Sequence, residues 1–342
     1  MRRARGLQDS SELSPRAKAR VPKEWFFLPL LLTLAAGPLL GQTAPPAPPP
    51  APTQSDAKAS EPKSFQAKVQ DLAHGMTREP RLKRLPESTR KSLVEFVVGN
   101  MLFAVAHEMG HAVVGELELP VLGREEDAAD SFATVASIKM MTDFSNRVLM
   151  EAARGWFLNA RRDKKEGAMA LYYDEHGMNE QRAYQIVCFM VGSNPVMFQD
   201  LAKMNKLPAT RVKSCREDYA IAAWAWETVL KPHLRAPDQP KAKIDVSYGE
   251  GKGKLDIYER VFRELGFLEK IAEMAADKFV WPGGPFQMEM LTCGSANASW
   301  NVKQRKVKVC YELAAEFAET YREFANDQKP AKSKQGSASA RR

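Results

Sequence analysis

The pentapeptide HEMGH, residues 107–111, stands inside an unbroken apolar-rich stretch, 91–118, which predicts one long helix. At about 3.6 residues per turn, His107 and His111 fall one turn apart on one face, so both imidazoles can reach a single metal ion. Glu108 points about 100° round the helix from His107 and flanks such an ion instead of binding it. From that place a carboxylate can polarise a water and carry its proton to a leaving amine. The flanking residues Val105, Ala106, Met109, Ala112 and Val113 are apolar, which predicts that the motif is buried. Two histidines and a glutamate buried without a partner are costly, so a surface helix that merely carries two histidines fits poorly.

A third ligand is expected fifteen residues after His111, at Glu126 in GREEDAADSFATVAS. LPVLG, 119–123, breaks the first helix, and a second helix predicted over 124–141 can return antiparallel to it, bringing a carboxylate to the ion. Asp130 is one turn beyond Glu126, placed to accept a hydrogen bond from the second nitrogen of a ligating histidine. Ala129, Ala133 and Ala136 continue that face and would let the two helices approach closely. Glu125 is the rival ligand. Glu125 and Asp127 also suit a solvated helix start, where acidic side chains face the positive end of the dipole.

The charge of the 342-residue chain argues about partners only once it is located. Residues 1–24 carry a net +4 and residues 326–342 another +4, which accounts for the whole formal charge of +8. The body is therefore near neutral and offers no basic face for nucleic acid. After a basic n-region, 1–25, the run FFLPLLLTLAAGPLL at 26–40 is too short and too interrupted to span a bilayer, and small residues follow it. This is the layout of a secretory signal, and 26–44 is read as a signal peptide or an uncleaved anchor. The Pro/Ala-rich residues 45–63 form a linker, 64–326 the folded domain and 327–342 a disordered basic tail. Export makes the chain periplasmic or secreted, with any membrane contact confined to the N-terminal segment.

Four cysteines, Cys188, Cys215, Cys293 and Cys310, read in an exported chain as two disulfides. Sequence order favours Cys188 with Cys215 and Cys293 with Cys310, although three pairings exist. None forms a CxxC pair, which argues against a cysteine zinc site. Further helices are predicted over 143–160, 179–191, 210–230, 255–279 and 312–325, a short strand over 244–249 and a hairpin over 286–311, where Val307, Val309 and Tyr311 alternate with Lys306, Lys308 and Cys310. The fold expected is mainly α (α+β). Trp224, Trp226, Trp281 and Trp300 read as core or cleft wall, and His74 and His233 as incidental.

Residues 96–130, with GNMLFAVAHEMGHAVV and LPVLGREEDAAD, resemble a bacterial family of metallopeptidases of unknown function, relatives of the glutamate zincins. DEHGMNEQRAYQIVCFMVGSNP at 174–195 and the CGSANASW and CYEL segments within 293–313 extend the likeness to about 91–325. The polar Ser299 before Trp300 is a departure that leaves the metal site untouched. The resemblance implies a helical zincin-like domain with His107, His111 and Glu126 as zinc ligands and Glu108 as the catalytic base. It implies a peptide or protein substrate and names no sequence preference. An oxyanion donor is sought among His176, Arg182 and Tyr184, each of which could equally be structural. A catalytically silent, zinc-stabilised periplasmic binding module is the alternative from another class, with the same ligands in a closed site.

Overall fold

The computed structural model describes residues 65, 67–69, 71 and 85–327. The signal or anchor at 26–44, the linker at 45–63, most of the basic tail and His74 lie outside the described residues. The protein is mostly helical with one small sheet.

The organising element is α1, Glu87–Glu116. Its buried residues (among them Phe96, Val98, Met101, Phe103, Val105, Met109 and Val113) point all round the helix, as expected for a helix at the centre of a fold. By length and composition alone it could cross a membrane, yet most of that length is buried inside the protein. Around it pack α2 (Glu125–Lys139), α3 (Asp143–Glu166), the C-terminal α9 (Tyr311–Asp327) and the strand β3 (Ala298–Asn301). Glycines set the closeness of two of these contacts. A Cβ on Gly110 would lie 2.9 Å from the Cα of Ala129 on α2, and one on Gly155 of α3 would lie 2.0 Å from Asn100 Oδ1. Ala129 and Ala133 are fully buried at the first contact, whereas Ala136 is exposed and takes no part.

The helix α3 begins with a capping box between Thr142 and Ser145 and runs a turn and a half beyond the expected end, to a left-handed Gly167. After a connecting loop come α4 (Asn179–Ser193), the short α5 (Gln199–Met204) and α6 (Ala209–Leu230). Cys188 of α4 is bonded to Cys215 of α6, and the Gly192 position approaches the Cys215 carbonyl so closely that no side chain would fit.

The second part of the chain supplies a four-stranded sheet in the order β1-β2-β4-β3, with β1 Ile244–Tyr248, β2 Phe286–Leu291 and β4 Lys306–Cys310. β1 pairs with β2 and β2 with β4 in parallel, and β3 runs antiparallel to β4 at the edge. The expected hairpin over 286–311 is thus confined to β3 and β4. Met288, Met290, Val307 and Val309 are buried beneath α1, α7 (Asp256–Leu265) and α8 (Phe267–Lys278) in the larger core cluster. The single helix expected over 255–279 is broken in two at Gly266, whose φ of 63° ends α7 in the left-handed conformation. Cys293 is bonded to Cys310. The two disulfides fit an oxidising, exported environment.

Candidate metal centre

The buried middle of α1 and the first turn of α2 form the centre. α2 starts at Glu125 without a side-chain cap, so Glu125, Glu126 and Asp127 face the positive end of its dipole. Because Gly110 and Ala129 touch backbone to backbone, that acidic turn lies over HEMGH. One ligand atom from each of His107, His111 and Glu126 lies within 4.8 Å of the other two. The two Nε2 atoms are 3.2 Å apart, and Glu126 Oε2 is 3.0 Å from His107 Nε2 and 3.4 Å from His111 Nε2. Tetrahedral zinc at 2.0–2.1 Å from nitrogen and oxygen spaces its donors about 3.4 Å apart, so the donor set and its dimensions fit such an ion.

The far nitrogen of each motif histidine is braced. His107 Nδ1 donates to Asp130 Oδ1 at 2.8 Å, and His111 Nδ1 to Glu125 Oε1 at 2.8 Å. Asp130 is buried and also accepts from Arg182 Nε (2.6 Å) and Nη2 (2.7 Å), while the guanidinium lies 3.7 Å from the centre of the Trp156 ring. Burial alone would push His107 down, but its hydrogen bonds to Asp130 and Glu126 outweigh that and raise it to about 9. The bond from His107 is the main cause that lowers Glu126 to about 2. Burial acts upward on Asp130, yet His107 and Arg182 bring it down to about 2. In the metal-free protein the cluster is thus an imidazolium between carboxylates, and a metal ion would take the place of the proton on Nε2.

Glu108 is buried beside this group, and desolvation raises its pKa against the pull of His107 and His111. The backbone N–H of Trp300, on the edge strand β3, lies near enough to this carboxylate to act against that rise. A carboxylate held near the centre with a raised pKa has the character of a general base.

Of the three residues considered as oxyanion donors, one stands at the cluster. His176 Nε2 lies 2.9 Å from Glu126 Oε2, with Nδ1 3.2 Å from Asp174 Oδ1. Arg182 is committed to Asp130. The hydroxyl of Tyr184 donates to Asn205 O at 3.4 Å and its ring packs on Phe157, so the structure does not bring it to the group. Glu125, the rival ligand, sits on the outer side of His111, and Asp127 pairs with Arg124. Trp224 is exposed and not part of the core, Trp226 donates to Ser131 Oγ, and Trp281 is buried against Phe286. Sequence reasoning missed the Trp300 amide and the part played by Gly110. Gly110 lies within the motif itself, and a glycine there is the one local sign that another backbone comes close.

Residues 70–230 match the model of a family described as "Putative metallopeptidase". Over that span the chain is similar to this family. No curated protein and no solved structure matches the chain. The metallopeptidase family implies a metal ion, and the matched span contains the His107, His111 and Glu126 group that could hold one.

Proposed function

We propose that the chain is a zinc-dependent peptidase of the periplasm or the secreted space that hydrolyses peptide bonds in peptide or protein substrates. His107, His111 and Glu126 are the metal ligands, Glu108 is the general base, and Asp130 positions His107. The observation that supports this best is the convergence of two Nε2 atoms and one carboxylate oxygen at donor-to-donor spacing, with the opposite nitrogens braced by Asp130 and Glu125. A zinc ion held there would supply Lewis acidity, polarising the scissile carbonyl and acidifying water. Glu108 takes a proton from the attacking water and returns it to the leaving amine, a task favoured by its desolvation. The near-neutral body fits a protein substrate and no nucleic acid.

The test is Glu108→Gln. That variant is expected to keep zinc near one per chain by elemental analysis and to lose hydrolysis of a broad peptide library, whereas retained hydrolysis removes Glu108 from the role. In the wild type, cleavage abolished by a chelator separates the peptidase from a catalytically silent zinc-stabilised binding module.

A further inference from the structure

Three imidazoles, not two, surround Glu126. Their Nε2 atoms lie 3.0 Å (His107), 3.4 Å (His111) and 2.9 Å (His176) from the same oxygen, Oε2. Each has a carboxylate on its other nitrogen: Asp130 at 2.8 Å, Glu125 at 2.8 Å and Asp174 at 3.2 Å. A carboxylate on Nδ1 fixes the tautomer whose Nε2 lone pair is free for a metal. His176 therefore carries the same preparation as the motif histidines, with its ring inclined 23° to that of His107 and 6.2 Å from it.

What separates His176 from the other two is its support. It lies outside the group whose ligand atoms are mutually within 4.8 Å, and it reaches that group through Glu126. It belongs to the loop between α3 and α4, where residues 168–176 are all exposed, and its own side chain is 45% exposed. The loop leans on the first turn of α2, since the Gly177 position is 3.6 Å from Arg124 Nη2 and 3.7 Å from Asp127 Oδ1. A segment with so little buried surface moves at small cost.

We propose that His176 is a third imidazole donor to the metal, so that the resting centre holds three imidazoles and one carboxylate and the 167–178 loop governs whether a coordination position is open. Closed zinc sites use four protein ligands and catalytic ones three, and the placement of His176 on a loop lets one centre be either. The proposal rests on the metal site proposed above and is independent of whether that site hydrolyses peptides.

X-ray absorption spectroscopy of the zinc-loaded full chain tests it by counting imidazoles. The expected count is three in the wild type and two in His176→Ala, an exposed substitution that leaves the core intact. Asp174→Ala, which removes an exposed brace and keeps the ligand, is expected to leave the count at three and to weaken zinc by no more than about fivefold in competition with a chelator. Two imidazoles in the wild type, or an unchanged count in His176→Ala, overturns the proposal. Failure of the wild type to bind zinc overturns the whole site. Three imidazoles with no peptide cleavage upholds the donor and overturns only the hydrolysis.

Discussion

The helical part, α1 to α6, and the sheet part, β1 to α9, contribute to the centre in different ways. The ligands His107, His111 and Glu126 and the Asp130 and Glu125 braces come from α1 and α2, within 24 residues of sequence. The sheet part brings one backbone N–H, that of Trp300, to the one group proposed to move protons. Metal binding should therefore be a property of the helical part, while hydrolysis needs both. Gly110 is the sharpest point of attack on the first. A Cβ there meets Ala129 backbone at 2.9 Å, which only a shift of α2 relieves. Gly110→Ala is expected to cost about 1–3 kcal/mol as overpacking does, and to drop zinc content well below one per chain because Glu126 moves with α2. Thermal melting and elemental analysis check it, and a variant with full zinc content breaks the claim that this contact places the third ligand.

The converse perturbation lies in the sheet part. Cys310 ends β4 and Cys293 precedes β3, so their disulfide closes the loop that leads into the Trp300 strand. Replacing both by serine is expected to cost roughly 3 kcal/mol, the scale for closing a loop of this length. Zinc content should stay near one per chain while hydrolysis falls. Equal loss of zinc and activity would show that the two parts do not divide the work.

How much of this was legible in the sequence follows the same division. HEMGH within an apolar helix, and Glu126 with Asp130 one turn on, can be read locally because helix periodicity fixes which side chains share a face. The roles of Arg182 and Tyr184 could not be read so, although they are two residues apart on α4. The rotation of α4 against α2 turns Arg182 to Asp130 and Tyr184 to Asn205. The contact of Glu108 with Trp300 joins distant parts of the chain through one main-chain donor, and no residue type announces it. The same holds for the sheet, since β2 pairs in parallel with β4 while β3 turns back on the outer edge. Alternation within 306–311 showed a strand and could not show its neighbours.

Protons and metal compete within the helical part, which gives a pH test. His107 rises from 6.5 to about 9, so in the metal-free protein its contribution is complete below about 6.5 and is lost as pH climbs through 9. Glu126 and Asp130 fall from 4.5 and 3.8 to about 2, so theirs is complete above about 4.5 and is lost as pH drops toward 2. Urea midpoints of chelator-treated protein are expected to plateau between about pH 4.5 and 6.5 and to decline on both sides. With zinc bound, the decline between pH 6.5 and 9 should vanish, because the ion replaces the proton on His107. An alkaline decline that is the same with and without zinc would detach His107 from the metal.

The two braces make the finest comparison. Asp130 and Glu125 sit at the same 2.8 Å from their histidines, yet the side chain of Asp130 is 6% exposed and that of Glu125 is 53% exposed. Water competes for an exposed carboxylate and screens its charge, while a buried one has no substitute. Asp130→Asn also strips the buried Arg182 of its counter-charge, which is costly in itself. Asp130→Asn is thus expected to weaken zinc about 10- to 100-fold, and Glu125→Gln by no more than about fivefold, the range of a surface ion pair. Chelator competition at fixed pH measures both. Equal losses would mean that position on the ring nitrogen, and not burial, sets the strength of a brace, and the exposed first turn of α2 would then rank with Asp130 in holding the metal.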